Sequence, residues 1–75
     1  MNRLKRYTVK ASFGESYLIV GEADATAWLA AVMALNNRGK AVAELIRGDS
    51  ETDIMAKCRD WVAKNIEKAA VITQQ

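Results

Sequence analysis

The chain has 75 residues, a net charge of +2, one cysteine, no proline and no histidine. This length allows one domain with a marginal core, because a chain so short buries only about 60% of the surface its unfolded form exposes. The missing histidines exclude a histidine general base, a Ser-His-Asp triad and any zinc site that needs imidazole, and a single cysteine excludes an internal disulfide. Good packing or a partner chain must then supply the missing stability, which points to a homodimer.

Residues 1–6 form a basic segment with Arg3, Lys5 and Arg6, read as an N-terminal arm. Tyr7, Val9, Ala11 and Phe13 then alternate with Thr8, Lys10 and Ser12, the period of a half-buried strand. Gly14-Glu15 suits a two-residue type II′ turn, and Ser16 to Val20 returns as a second strand. The return strand does not alternate. If Leu18 and Val20 face a core, Tyr17 and Ile19 face away from it.

Asp24 reads as a helix N-cap and Gly39 as the residue past a helix C-terminus. The alanine-rich segment between them, which includes Trp28, Leu29, Val32 and Met33, reads as a first helix running to about Asn37. It carries no charge between Asp24 and Arg38, so it is buried on more than one side or meets another chain. Lys40 to Arg47 reads as a third strand, flanked by Gly39 and Gly48, with a helical extension as the alternative. Ser50 followed by Asp53 resembles a capping box that opens a second helix, Ser50 to Ala70. Its inward stripe is Ile54, Cys58, Trp61, Val62, Asn65, Ile66 and Ala69. Asp53–Lys57 and Asp60–Lys64 are favourable i, i+4 pairs along it. Val71 and Ile72 overhang the sheet, and 71–75 reads as a frayed tail.

The expected fold is therefore α+β, a single two-layer β-β-α-β-α domain over residues 1–75. An N-terminal hairpin and a third strand form a three-stranded sheet, with two helices on one face. Its open face carries Thr8, Lys10, Ser12, Tyr17 and Ile19.

The candidate chemistry is sparse. Cys58 sits in an apolar stripe and reads as a packed thiol. Asp49, Glu51 and Asp53 resemble the start of a calcium loop, but Ile54 stands where the glycine belongs and Asp60 where the closing glutamate belongs, so helix capping accounts for them. Arg47-Gly48-Asp49-Ser50 matches an integrin-binding string that a strand-to-helix turn explains. Trp28 and Trp61 read as core. A chain this short has little room for a pocket of the usual ~300 Å³. No cofactor or metal is called for.

The expected function is that of a small non-enzymatic interaction or regulatory protein, acting on another macromolecule and pairing with itself and a further protein. Its interaction surface comprises Thr8, Lys10, Tyr17, Ile19, Val71 and Ile72. The alternative is a weak nucleic-acid binder using Arg3, Lys5, Arg6 and Lys10 with the open sheet face. No stretch approaches the roughly 20 apolar residues of a membrane-spanning helix. One free cysteine and no recognisable leader suggest the cytoplasm. Size and composition resemble those of accessory proteins of mobile genetic elements, phages and prophages among them.

Overall fold

Five strands and one helix follow one another along the chain in a computed structural model that describes residues 3–24, 26–35 and 38–75. The strands are β1 (Arg3–Ala11), β2 (Gly14–Asp24), β3 (Ala27–Leu35), β4 (Ala41–Gly48) and β5 (Val71–Gln74), and the helix α1 (Glu51–Asn65) lies between β4 and β5. All neighbouring strands are antiparallel, in the order β4-β3-β2-β1-β5. The first four strands form a meander. The chain then crosses one face of the sheet as α1 and returns at the far edge as β5.

This replaces the expected three-stranded sheet under two helices. The expected first helix is β3, a central strand paired with both β2 and β4. Its alanines favour a helix locally, but tertiary pairing overrides that preference. As a strand it alternates cleanly. Trp28, Ala30, Val32 and Ala34 are buried on the helix side, while Ala31 and Met33 are exposed on the other. The uncharged run is thus a strand enclosed on both edges, and no β-α-β crossover joins β2 to β4. Asn36 and Asn37, where that helix was expected to end, lie outside the described residues.

The supposed cap residues serve turns instead. Asp24 Oδ1 accepts from the Thr26 N–H at 2.8 Å and the Thr26 hydroxyl at 3.1 Å in the β2–β3 connection. Those bonds hold the Asp24 carboxyl below its ordinary range. Gly39 takes φ 76° in the β3–β4 connection, a left-handed conformation that glycine adopts without strain. The first hairpin also turns two residues earlier than expected. Ala11 pairs with Gly14, so Ser12 and Phe13 form the turn and Gly14 opens β2.

The third expected strand is present as β4. The last helix is shorter than expected and ends at Asn65. Its start follows the capping signal: the Asp53 N–H donates to Ser50 Oγ at 3.0 Å. The Asp53 carboxylate in turn accepts from the Asp49 N–H at 3.0 Å, one residue before the position a standard box uses. This bond, with the nearby Lys57 ammonium, lowers the Asp53 pKa. Both i, i+4 pairs form, Asp53–Lys57 at 3.2 Å and Asp60–Lys64 at 3.0 Å.

The expected frayed tail is β5, in register with Tyr7 to Lys10 of β1. Val71, Ile72 and Thr73 are β-branched and so favour a strand over a further helical turn. The expected basic arm is likewise structured from Arg3 onward as the start of β1. Met1 and Asn2 lie outside the described residues.

The core lies between the sheet and α1. Leu18, Val9, Val20, Val32, Ile54, Val62 and Cys58 are its most enclosed side chains, with Tyr7, Trp28, Met55 and Ile66 around them. Trp28 is buried and Trp61 packs half-buried against the same cluster. Gly48, opposite Trp28, lets the start of α1 approach closely: a Cβ there would lie 2.9 Å from the Ile54 nitrogen. Two polar links fasten the layers. Lys5 pairs with Glu51 across from β1 to α1. Glu67 takes the Ser12 N–H at 2.6 Å and the Ser12 hydroxyl at 2.7 Å, tying the β1–β2 turn to the segment after α1.

Candidate functional site: the open face of the sheet

Among the described residues no helix covers one face of the five-stranded sheet. The register fixes what that face carries, because directly opposed residues of paired strands point to the same side. One row across it is Thr73, Thr8, Tyr17, Met33 and Ala43. The next is Arg6, Ile19, Ala31 and Leu45, and the next Leu4, Gly21, Leu29 and Arg47. At the opposite end Val71 stands beside Lys10 and Glu15.

The centre of this face is apolar and open to solvent. Leu4 is 51% exposed, Tyr17 56%, Ile19 40%, Met33 68% and Leu45 69%. Ala31, Ala43 and half-buried Leu29 fill the spaces between them. The charged groups stand at the margins: Arg6, Arg47, and Lys10, whose ammonium lies 3.9 Å from Glu15. Large contiguous apolar patches are rare on monomers and mark contact surfaces. An apolar centre within a polar rim is the usual anatomy of a protein interface. Beside Tyr17, Met33 and Ala43 the surface dips into an open depression of about 370 Å³.

The expected interaction residues fall largely here. Thr8, Lys10, Tyr17 and Ile19 share this face, and Val71 joins them across β5. Ile72 does not, since it packs against the core from the helix side. Ser12, expected on the same face, sits in the turn and bonds Glu67. Sequence reasoning missed Leu4, Leu29, Met33 and Leu45. Once β3 and β4 are adjacent antiparallel strands, their alternation places Met33 and Leu45 beside Tyr17 and Ile19. Reading β3 as a helix hid that adjacency.

The alternative basic cluster does not assemble. Lys5 points to the helix side and pairs with Glu51, which raises its pKa. Arg3 shares that parity along β1, whereas Arg6 and Lys10 take the other face. Four cations close together in sequence are thus divided between two sides of one strand.

The remaining chemistry is structural. The Cys58 thiol is fully buried on α1, and burial pushes its pKa up to about 11. Asp49 and Asp53 bond each other in the cap, and the described residues contain no cluster of three or more metal-binding side chains. Open depressions of about 370 and 440 Å³ exceed the pocket size expected of so short a chain, although both are surface features. Among the described residues no helix is long and apolar enough to cross a membrane. A scan of protein-family models gives no match, and searches of characterised proteins and of solved structures give none at a significant level.

Proposed function

We propose that the protein is a non-enzymatic interaction domain that works as a homodimer, with the open sheet faces of two copies packed against each other. One observation carries this reading: Leu4, Tyr17, Ile19, Met33 and Leu45 are all exposed on the one face that α1 leaves bare. The dimensions suit a second copy. Five strands at about 4.8 Å spacing, with four rows of outward residues, span a face of about 600–700 Å². A standard interface buries about 800 Å² on each partner. Two such faces stacked about 10 Å apart make a β-sandwich, and each protomer's sheet is then covered on both sides. A 75-residue domain gains most from this, because its single core is small.

Dimerisation leaves the helix side of each protomer free for a further macromolecule, which fits a regulatory or accessory role. The buried free thiol of Cys58 suits a reducing compartment such as the cytoplasm. The test is sedimentation velocity on the wild type and on a Tyr17→Ser, Ile19→Lys double variant. The reading predicts a wild-type dimer and a folded, monomeric variant. An unchanged monomer in both would overturn it.

A further inference from the structure

A second surface lies away from the open face, along the free edge of β5. Strand β5 pairs with β1 on one side only. The Gln75 N–H donates to the Arg6 carbonyl at 2.9 Å, making Arg6 and Gln75 a hydrogen-bonded pair. Hydrogen-bonded and non-hydrogen-bonded pairs alternate along an antiparallel ladder. The main-chain N–H and C=O groups of Ile72 and Gln74 therefore point outward from the sheet, two residues apart, as a further strand requires.

The other edge differs. On β4 the Arg47 carbonyl is already taken by the Lys57 ammonium at 3.0 Å, a charged side chain that obstructs strand addition. No such group closes β5 among the described residues.

Beside that free edge runs a groove whose second wall is α1. One end, about 440 Å³, is lined by Val62, Ala63, Ala70 and Ile72, with Arg59 and Lys68 at its rim. Arg59 also lines an adjoining depression of about 390 Å³ with Tyr7, Met55 and Gln74. From Thr52 to Ala63 the helix wall rises about 17 Å, which matches a five-residue extended segment. The charge is one-sided. Neither Arg59 nor Lys68 meets a carboxylate among the described residues, and the one acid lining the groove, Glu51, is engaged by Lys5.

We infer that this groove binds an extended acidic peptide, which adds to the sheet as a sixth strand beside β5. Its main chain bonds Ile72 and Gln74, and the alternate side chains of one face enter between α1 and β5, apolar at the ends with a carboxylate between them that meets Arg59 with Lys68 as a second contact. Strand addition next to a helix is an established mode of peptide capture: main-chain bonds supply affinity and alternate side chains supply selectivity. The groove shares only Val71 with the open face and none of Leu4, Tyr17, Ile19, Met33 and Leu45, so neither proposal depends on the other.

The experiment is an amide-shift titration of the isotope-labelled full chain with capped Val-Thr-Glu-Thr-Val, whose valines and glutamate share one face, its Lys-for-Glu counterpart, an N-methylated version and oligothymidylate. The inference predicts saturable shifts at Ile72 and Gln74 with the acidic peptide. It predicts at least tenfold weaker binding of the lysine peptide, and loss of binding on N-methylation. Arg59→Glu and Lys68→Glu, both on the surface, should each weaken the acidic peptide severalfold with the spectrum otherwise intact. Equal binding of both peptides, shifts on the Tyr17 and Met33 face instead, no saturable shift at millimolar peptide, or stronger binding of oligothymidylate in the same groove would each overturn it.

Discussion

Replacing Met33 and Leu45 by threonine perturbs the open face where it is most exposed and leaves the protomer's own core untouched. Both side chains are about two-thirds exposed, at 68% and 69%. Fully burying a side chain of this size contributes about 1.5–3 kcal/mol, so the exposed two-thirds of each has about 1–2 kcal/mol left to give. A symmetric dimer buries each position twice, and either substitution then costs about 2–4 kcal/mol of dimer stability, or roughly 30- to 1,000-fold in dissociation constant. Threonine keeps β propensity, and surface changes usually move protomer stability by no more than about 0.5 kcal/mol. Isothermal dilution calorimetry measures the dimer constant, and urea unfolding at low protein concentration measures the protomer. Each single variant should raise the dimer constant by at least thirtyfold, with a protomer midpoint near that of the wild type. Unchanged dimer constants would refute the assignment of this face. An equal loss in the protomer would show instead that Met33 and Leu45 serve the core.

Gly48→Ala should destabilise the fold by about 1–3 kcal/mol in urea unfolding, because its Cβ meets helix backbone at 2.9–3.0 Å, which cannot yield as a flexible side chain would. A variant as stable as the wild type would show that α1 does not rest on the end of β4. Glu67 accepts two bonds from Ser12, which lower its pKa. Its stabilisation is therefore present above the ordinary value of 4.5 and lost as pH falls through the lowered one. In thermal melts Glu67→Gln should be less stable than wild type at pH 7, and the gap should close as pH drops below 4.5. A gap independent of pH would refute the pairing. Lys57→Ala frees the Arg47 carbonyl at the β4 edge and removes one exposed i, i+4 pair, with little effect on stability. Light scattering at high concentration should show faster aggregation than in the wild type, and equal rates would show that this lysine does not guard the edge.

Local signals that coincide with tertiary demand were readable in the residues. The first strand of the hairpin alternates, Ser50 and Asp53 cap α1, and Leu18 and Val20 turn inward while Tyr17 and Ile19 turn outward. The failures were places where tertiary pairing outweighed local preference. Alanine favours a helix, yet Ala30, Ala31 and Ala34 lie in a central strand, where period-2 burial between β2 and β4 decides the conformation. The β-branched run Val71-Ile72-Thr73 carried a strand signal, but its partner, β1, lies more than sixty residues away, and a long-range pairing leaves no local mark. The candidate site suffered accordingly. Tyr17 and Ile19 were legible from one strand, whereas Met33 and Leu45 enter the patch only through the order of three strands. The groove at β5 depends on knowing that α1 ends at Asn65 and that the chain turns back.

The central claim is that a second copy covers the open face, and intermolecular contacts read it most directly. In a mixture of isotope-labelled and unlabelled chains, filtered nuclear Overhauser spectra should link the Met33 and Leu45 methyl groups of one protomer to Leu4, Tyr17, Ile19 or Leu29 of its partner. An absence of intermolecular contacts at millimolar protein, or contacts confined to α1 or the β4 edge, would contradict it.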